Sequence, residues 1–150
     1  MNHASKDQWI QAAKDEHESL LVNKTWTLVE PPLDRHILKG RWVFKYKRGS
    51  TGTILQYKAR WVVKGYEQQQ GVDYADTFAS VVKPMSYKAL FAIAASLDLE
   101  IEQMDVKTAF LYGTLDEEIF MEQPEGFEDG TSQVCRLDKA LYSLKQSPRV

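Results

Sequence analysis

Residues 41–64 constrain the fold most, because apolar and basic side chains alternate there along two stretches separated by turn residues. Trp42 and Phe44 point to one side of the first stretch, while the intervening lysines and arginines point to the other. Residues 49–52 are rich in glycine and small polar residues, and the alternation resumes over residues 54–64. The pattern predicts a β-hairpin with one aromatic face and one basic face.

Charge is distributed unevenly along the chain. Residues 35–66 contain nine lysines and arginines and no acidic residue, whereas the rest of the chain has 10 basic residues and 21 acidic ones. Residues 116–129 contain seven acids and no base, for which the simplest interpretation is a solvated acidic face. The net charge of −2 therefore conceals a local field that favours anionic ligands at the hairpin.

The remaining segments predict one domain of mixed α+β class with antiparallel hairpins. A length of 150 residues and a hydrophobic content of 43% suit a globular protein. Helical spacing predicts a helix over residues 6–22 and a second helix after Ser86, whose buried stripe would contain Leu90, Ile93, Ala94 and Leu97. A further helical turn is expected at residues 141–145, and short strands over residues 26–29, 99–106, 119–123 and 134–137.

Cellular location is predicted from what the chain lacks. Its first seven residues are polar and lack the apolar core of a signal peptide, and no apolar run is long enough to span a membrane. Cys135 is the single cysteine, which excludes an intramolecular disulfide and indicates a reduced thiol. These features predict an intracellular protein that does not associate with membranes.

Asp105 lies between apolar residues at the end of a predicted strand, directly before a short helix or tight turn over residues 107–112. An aspartate in this position is most often a helix N-cap. It can also be a metal ligand, with the exposed N–H groups of the following turn available to phosphates. A buried aspartate needs a partner, which could be a divalent metal ion or an arginine, and local physical chemistry does not choose between those two partners.

Residues 105–111, with the sequence Asp-Val-Lys-Thr-Ala-Phe-Leu, resemble the first catalytic motif of reverse transcriptases from Ty1/copia-type LTR retrotransposons. Several independent blocks resemble the same family in the same order, so the resemblance covers nearly the whole chain. These blocks are Asn23–Trp26, Arg41–Lys45, Tyr57–Arg60, Val62–Tyr66, Gly71–Tyr74, Thr77–Ala79, Gln123–Phe127 and Leu144–Arg149.

The resemblance implies an incomplete α+β domain, namely the fingers and partial palm of a right-hand polymerase, built from antiparallel hairpins with packed helices. Residues 1–23 would form a leading helix, residues from about 24 to 84 the fingers-like part, and residues from about 85 to 150 the partial palm. The implied partners are an RNA/DNA template–primer and a deoxynucleoside triphosphate. The remaining palm, thumb and RNase H regions are absent from this sequence.

The resemblance also assigns site residues. Asp105 and the backbone carbonyl of Val106 would bind Mg²⁺, which is the cofactor that the family implies. The N–H groups of Thr108 and Ala109 would hold the triphosphate, and Phe110 would reject a 2′-hydroxyl group. The remaining nucleotide-binding candidates are Lys45, Lys47, Lys58 and Arg60 on the hairpin and Gln146 near the end of the chain.

The chain departs from the family pattern in ways that bear on activity. It contains no Tyr-x-Asp-Asp motif and no adjacent aspartate pair, although two Mg²⁺ ions about 4 Å apart need more than one carboxylate. We therefore expect no polymerase activity from this chain alone. Trp61 stands where the family has leucine, Ser80 where it has proline, and Val150 where it has tryptophan.

Two alternatives remain open beside a polymerase segment. The chain could be a non-catalytic relic or co-opted module that binds nucleic acid through the basic hairpin. It could also be unstable in isolation, because unpaired sheet edges favour aggregation.

Overall fold

The computed structural model describes residues 5–106 and 109–150. Among these residues lie two α-helices, α1 and α2, six β-strands, β1 to β6, and short 3-10 helices. The bounds are α1 Lys6–Val22, β1 Trp26–Val29, β2 Ile37–Leu38, β3 Gly40–Arg48, β4 Ile54–Val63, 3-10 helix Gly65–Glu67, α2 Pro84–Ser96, 3-10 helix Ala109–Tyr112, β5 Thr114–Met121 and β6 Val134–Lys139. This composition confirms the predicted mixed α+β class.

The strands form two sheets. The larger has the order β1-β6-β5-β2, with β6 antiparallel to both neighbours and β2 parallel to β5. The smaller is the antiparallel hairpin of β3 and β4, in which Trp42 lies opposite Trp61 and Tyr46 opposite Tyr57. The larger sheet thus combines strands from before and after residue 84.

Helix α1 covers the aromatic face of the hairpin. It has the predicted bounds, and Trp9, Ala12, Ala13 and Leu20 are its buried residues. The Trp9 ring lies 5.3 Å from the Phe44 ring, 4.8 Å from that of Tyr46 and 4.6 Å from that of Tyr57, measured between centroids. Such aromatic pairs add to the free energy of apolar burial.

The Asn23–Trp26 block ends α1. The Asn23 side-chain amide donates to the Ser19 carbonyl at 2.7 Å, and Lys24 adopts a positive φ of 52°. The buried Thr25 hydroxyl then donates to the Leu20 carbonyl at 2.8 Å, which satisfies a carbonyl left free at the end of the helix. This block therefore has a structural role.

The main core lies between the two sheets and the last turns of the chain. Its buried residues come from both sheets, α1, the 3-10 helix Ala109–Tyr112 and the segment after β6; they are Leu20, Leu38, Trp61, Val63, Leu111, Ile119, Met121, Cys135, Leu137, Leu141 and Leu144. The core thus joins the hairpin to the four-stranded sheet.

Helix α2 differs from the prediction in its first residue and in the burial of its side chains. It begins at Pro84 rather than after Ser86, because a proline is well suited to the first turn of a helix. The predicted buried stripe is wrong: Leu90 is 65% exposed, Ile93 is 52% exposed and Leu97 is 63% exposed. The periodicity indicates a helix correctly, but burial needs a facing element, and α2 has no buried residue.

Two other predictions of secondary structure are also wrong. Residues 99–106 form no strand, since a strand requires a neighbour for its backbone hydrogen bonds and no described strand pairs with them. Residues 141–150 form successive turns rather than a helix; the Leu144 and Ser147 amides, for example, each donate to the carbonyl three residues earlier. Within residues 5–106 and 109–150, no helix combines the length and apolar character needed to cross a membrane.

Cys135 offers a probe of the folded core. It is fully buried, and burial together with the nearby charge of Asp129 raises the pKa of its thiol to about 12. We expect a thiol reagent at mildly alkaline pH to label the native chain more than about 1000-fold more slowly than the chain in urea, because the thiolate is the reactive species. A Cys135→Ser variant controls for reagent binding, and rapid labelling of the native chain would contradict the core position.

Candidate nucleic-acid interface

The basic face of the hairpin forms as predicted. Lys45 lies directly opposite Lys58, and Val43 lies opposite Arg60, two residues further along each strand. Residues two apart on a strand share a face, so Lys45, Lys47, Lys58 and Arg60 lie on the side away from α1. The structure therefore brings four predicted phosphate contacts onto one surface.

The cations of this face lie close enough together to shift the pKa of Lys58. Burial lowers the pKa of Lys58, and repulsion from Arg60 and Lys47 lowers it further. Attraction to Glu16 and Asp105 acts in the opposite direction. A lysine surrounded by like charge is stabilised by a bound anion, which is the property that a phosphate-binding surface needs.

Arg60 is held in place by an aromatic ring. Its guanidinium carbon lies 5.3 Å from the centre of the Tyr142 ring, and the side chain is half-buried. The backbone places Tyr142 there, since the Val63 amide donates to the Tyr142 carbonyl at 3.0 Å. Stacking limits the rotamers of Arg60 and leaves its charge available to a ligand.

Asp105 lies in an irregular, exposed segment rather than at a strand end. The short 3-10 helix that follows begins at Ala109, four residues after Asp105. The negative charge of Asp105 nevertheless acts on the basic face, since attraction to Asp105 is the smallest of the causes that shift the pKa of Lys58. The predicted metal ligand thus acts electrostatically on one of the predicted phosphate contacts.

The neighbours of Asp105 are described only in part. Val106 is exposed, and Ala109 is exposed at the start of its 3-10 helix. Thr108 lies outside the described residues. Phe110 belongs to the 3-10 helix through its backbone, but its side chain is outside the description.

Gln146 is buried in a polar cluster rather than facing solvent, with 1% of its surface exposed. Its amide nitrogen donates to the Asp73 carbonyl at 2.9 Å and to Glu117 at 3.3 Å, and its oxygen accepts from Gln68 at 3.1 Å. Buried amides need such partners. These bonds tie the turns after β4 to β5 and to the last turns of the chain.

The metal-binding capacity of the described residues is limited. They contain no group of three histidine, cysteine, aspartate or glutamate side chains able to hold an ion. Asp105 and the Val106 carbonyl would supply two oxygen ligands, whereas a two-ion site needs carboxylates shared between both ions. The described residues therefore do not fit a complete two-Mg²⁺ site.

Sequence reasoning missed two residues of this site. Glu16 of α1 and Tyr142 after β6 both contact or influence the basic face, yet each is far from the hairpin in the sequence. Glu16 lies four residues from both Ala12 and Leu20, so helical spacing could have placed it on the buried stripe of α1. No signal in the sequence indicates that Tyr142 stacks on Arg60.

Comparison with known proteins relates the chain to one family. A family model described as reverse transcriptase (RNA-dependent DNA polymerase) matches residues 23–150. The chain is 52% identical to the Retrovirus-related Pol polyprotein from transposon TNT 1-94 of Nicotiana tabacum, over 99% of this chain and 11% of that protein. The corresponding polyproteins from transposons RE2 and RE1 of Arabidopsis thaliana are 46% and 45% identical, over 95% and 97% of this chain and 10% of each relative.

The chain thus spans about a tenth of the length of these curated relatives. No solved structure matches it.

Proposed function

This chain belongs to the reverse transcriptase family of Ty1/copia-type retrotransposons, and from that premise we propose that it forms the phosphate-binding part of an RNA-directed DNA polymerase. Its substrates in that role are an RNA or DNA template–primer and a deoxynucleoside triphosphate. The chain supplies one metal-binding carboxylate, Asp105, and a basic hairpin, and by itself it is catalytically inactive.

The observation that carries this proposal is the shared basic face of Lys45, Lys47, Lys58 and Arg60, with Asp105 as a source of negative charge that acts on Lys58. Phosphoryl transfer uses two kinds of group together: cations that neutralise phosphate oxygens and carboxylates that hold divalent ions. The basic face provides the cations, and Asp105 is the carboxylate that we propose for the divalent ion.

The domain assignment follows from the same proposal. Residues 24–84, with the β3–β4 hairpin, correspond to the fingers; residues 85–150 correspond to part of the palm, and residues 1–23 carry the leading helix. The roles proposed for Thr108 and Ala109 in holding the triphosphate, and for Phe110 in rejecting a ribose, come from the resemblance. Gln146 would act at the nucleotide pocket by holding the turns around it.

The polymerase role can be tested in a chimera. We expect the purified chain to extend no primer in the presence of Mg²⁺, because it contains no Tyr-x-Asp-Asp carboxylates. We expect activity when residues 23–150 replace the matching segment of the tobacco relative, and loss of more than about 100-fold when Asp105 is changed to asparagine in that chimera. The measurement is incorporation of labelled deoxynucleotide on an RNA template.

The unaltered relative, assayed in parallel, provides the positive control for the chimera. A Glu102→Gln chimera, in which a nearby exposed carboxylate is neutralised, controls for general loss of charge. Asp105-dependent incorporation by the 150-residue chain alone would show that the prediction of inactivity is wrong. An inactive chimera beside an active relative would contradict the polymerase role.

The second candidate is a non-catalytic module that binds nucleic acid. What favours it is that the basic face is complete in the described chain, whereas the metal-binding group is not. A nucleic-acid strand would then be held through its phosphates, with little dependence on sequence. An inactive chimera together with salt-dependent binding would support this candidate over the polymerase segment.

A further inference from the structure

Helix α1 brings a carboxylate to the edge of the basic face. The small side chains of Ala12 and Ala13 pack against Ala59, which lets the helix approach β4 closely. Glu16, one turn further along α1, lines a cavity of about 150 Å³ together with Lys58. Glu16, which lies outside the acid-free residues 35–66, is thus brought close to Lys58 by the packing of α1.

The atoms around Glu16 are incompletely paired. Among the described residues, the Oε1 atom of Glu16 and the Nε atom of Arg60 are buried without a hydrogen-bond partner. Burial raises the pKa of Glu16, whereas a hydrogen bond from the Trp61 backbone and attraction to Arg60 and Lys58 lower it. The net effect is a raised pKa of Glu16, and the charge of its carboxylate acts on the two cations of β4.

We propose that the negative charge of Glu16 competes with bound phosphate for Lys58 and Arg60 and thereby lowers the affinity of the basic face for polyphosphates. This inference rests on the proposed function, because it presumes that the basic face binds phosphate. Helix α1 precedes residues 23–150, so this control lies outside the segment that the family model covers.

The physical reason is competition for charge. A phosphate that approaches Lys58 and Arg60 meets repulsion from Glu16 in a partly desolvated setting, where charges act more strongly than in bulk water. The two β4 cations serve as phosphate contacts while Glu16 limits the affinity they provide. A moderate affinity suits a surface from which substrate or product must be released.

The test compares two glutamates of α1. Glu16→Gln removes the counter-charge with little change of shape, and Glu18→Gln makes the same chemical change at an exposed position of the same helix. We expect Glu16→Gln to bind inorganic tripolyphosphate roughly two- to fivefold more tightly than Glu18→Gln does, by calorimetry at low salt. The gain should disappear when Lys58 and Arg60 are both changed to glutamine.

A second readout follows Lys58 directly. Removing a nearby negative charge lowers the pKa of an amine, so Lys58 in Glu16→Gln should react faster with an acylating reagent, as measured by peptide mass spectrometry. Equal tripolyphosphate affinity in the two glutamine variants, or weaker binding by Glu16→Gln, would overturn the inference and leave the proposed function standing. Absence of tripolyphosphate binding in every variant would overturn the proposed function. If, in addition, the reactivity of Lys58 is unchanged in Glu16→Gln, the inference is overturned as well.

Discussion

Replacing Lys45, Lys47, Lys58 and Arg60 with glutamine is expected to abolish nucleic-acid binding by this chain. These four cations share one face of the hairpin, and each phosphate they neutralise releases a condensed counterion. We expect the logarithm of the binding constant for a single strand to fall with the logarithm of salt concentration with a slope of roughly −3 in the native chain. In the variant the slope should approach zero, with an affinity loss on the order of 100-fold at low salt.

The measurement is fluorescence anisotropy of a labelled single-stranded oligonucleotide across a salt series. The matched control removes four exposed lysines elsewhere, Lys14, Lys24, Lys83 and Lys88, and so changes the net charge equally. Because Arg60 stacks on Tyr142, a second variant that changes only Lys45 and Lys47 tests the face without disturbing that contact. Equal loss in the four-lysine control would show that binding depends on net charge and not on this surface.

The second large effect is expected from Gly65→Ala, which should lower the free energy of unfolding by about 2–4 kcal/mol. Gly65 is buried where β4 ends, and a methyl group on it would collide with the backbone carbonyl of Ser143. Backbone atoms cannot turn aside as a flexible side chain does, so the junction must shift. The same junction contains the bond from the Lys145 amide to Gln68 at 2.8 Å and the buried Gln146 cluster.

Urea unfolding measures this effect, and Gly49→Ala is its control. A methyl group on Gly49 would meet only side-chain atoms of Thr53 and Leu55, at 3.4–3.5 Å, which is ordinary contact. We expect that variant to remain within about 0.5 kcal/mol of the native chain. A loss of similar size in both variants would mean that the close approach of Gly65 to Ser143 does not govern stability.

The two predictions are connected through Tyr142. A shift of the Ser143 backbone also moves its neighbour Tyr142, whose ring supports Arg60 and whose carbonyl accepts from Val63. Gly65→Ala should therefore weaken nucleic-acid binding even where the chain remains folded, although no atom of Gly65 belongs to the basic face. The fold and the site share this junction.

Much of the local structure could be predicted from the sequence. Alternation with a period of two predicts both faces of the β3–β4 hairpin, and helical spacing predicts α1 with its four buried residues. Both patterns are local, because they depend on the geometry of a single element. In α2, the spacing of the apolar residues predicts the helix correctly, but it does not predict whether another element packs against that face.

By itself the sequence determined the hairpin, its separation of aromatic from basic side chains, and the family. Only the tertiary structure decided which other groups reach the basic face: Asp105 and Glu16 bring negative charge to Lys58, and Tyr142 supports Arg60. The physical reason is the distance along the sequence over which each effect acts. Alternation is set by bonded neighbours, whereas a charge acts through space on whatever the packing places beside it. A stretch of 32 residues without an acid in the sequence thus meets carboxylates from elsewhere in the folded chain: Glu16 and Asp105 act on Lys58, and Glu118 pairs with Arg35 at 3.2 Å.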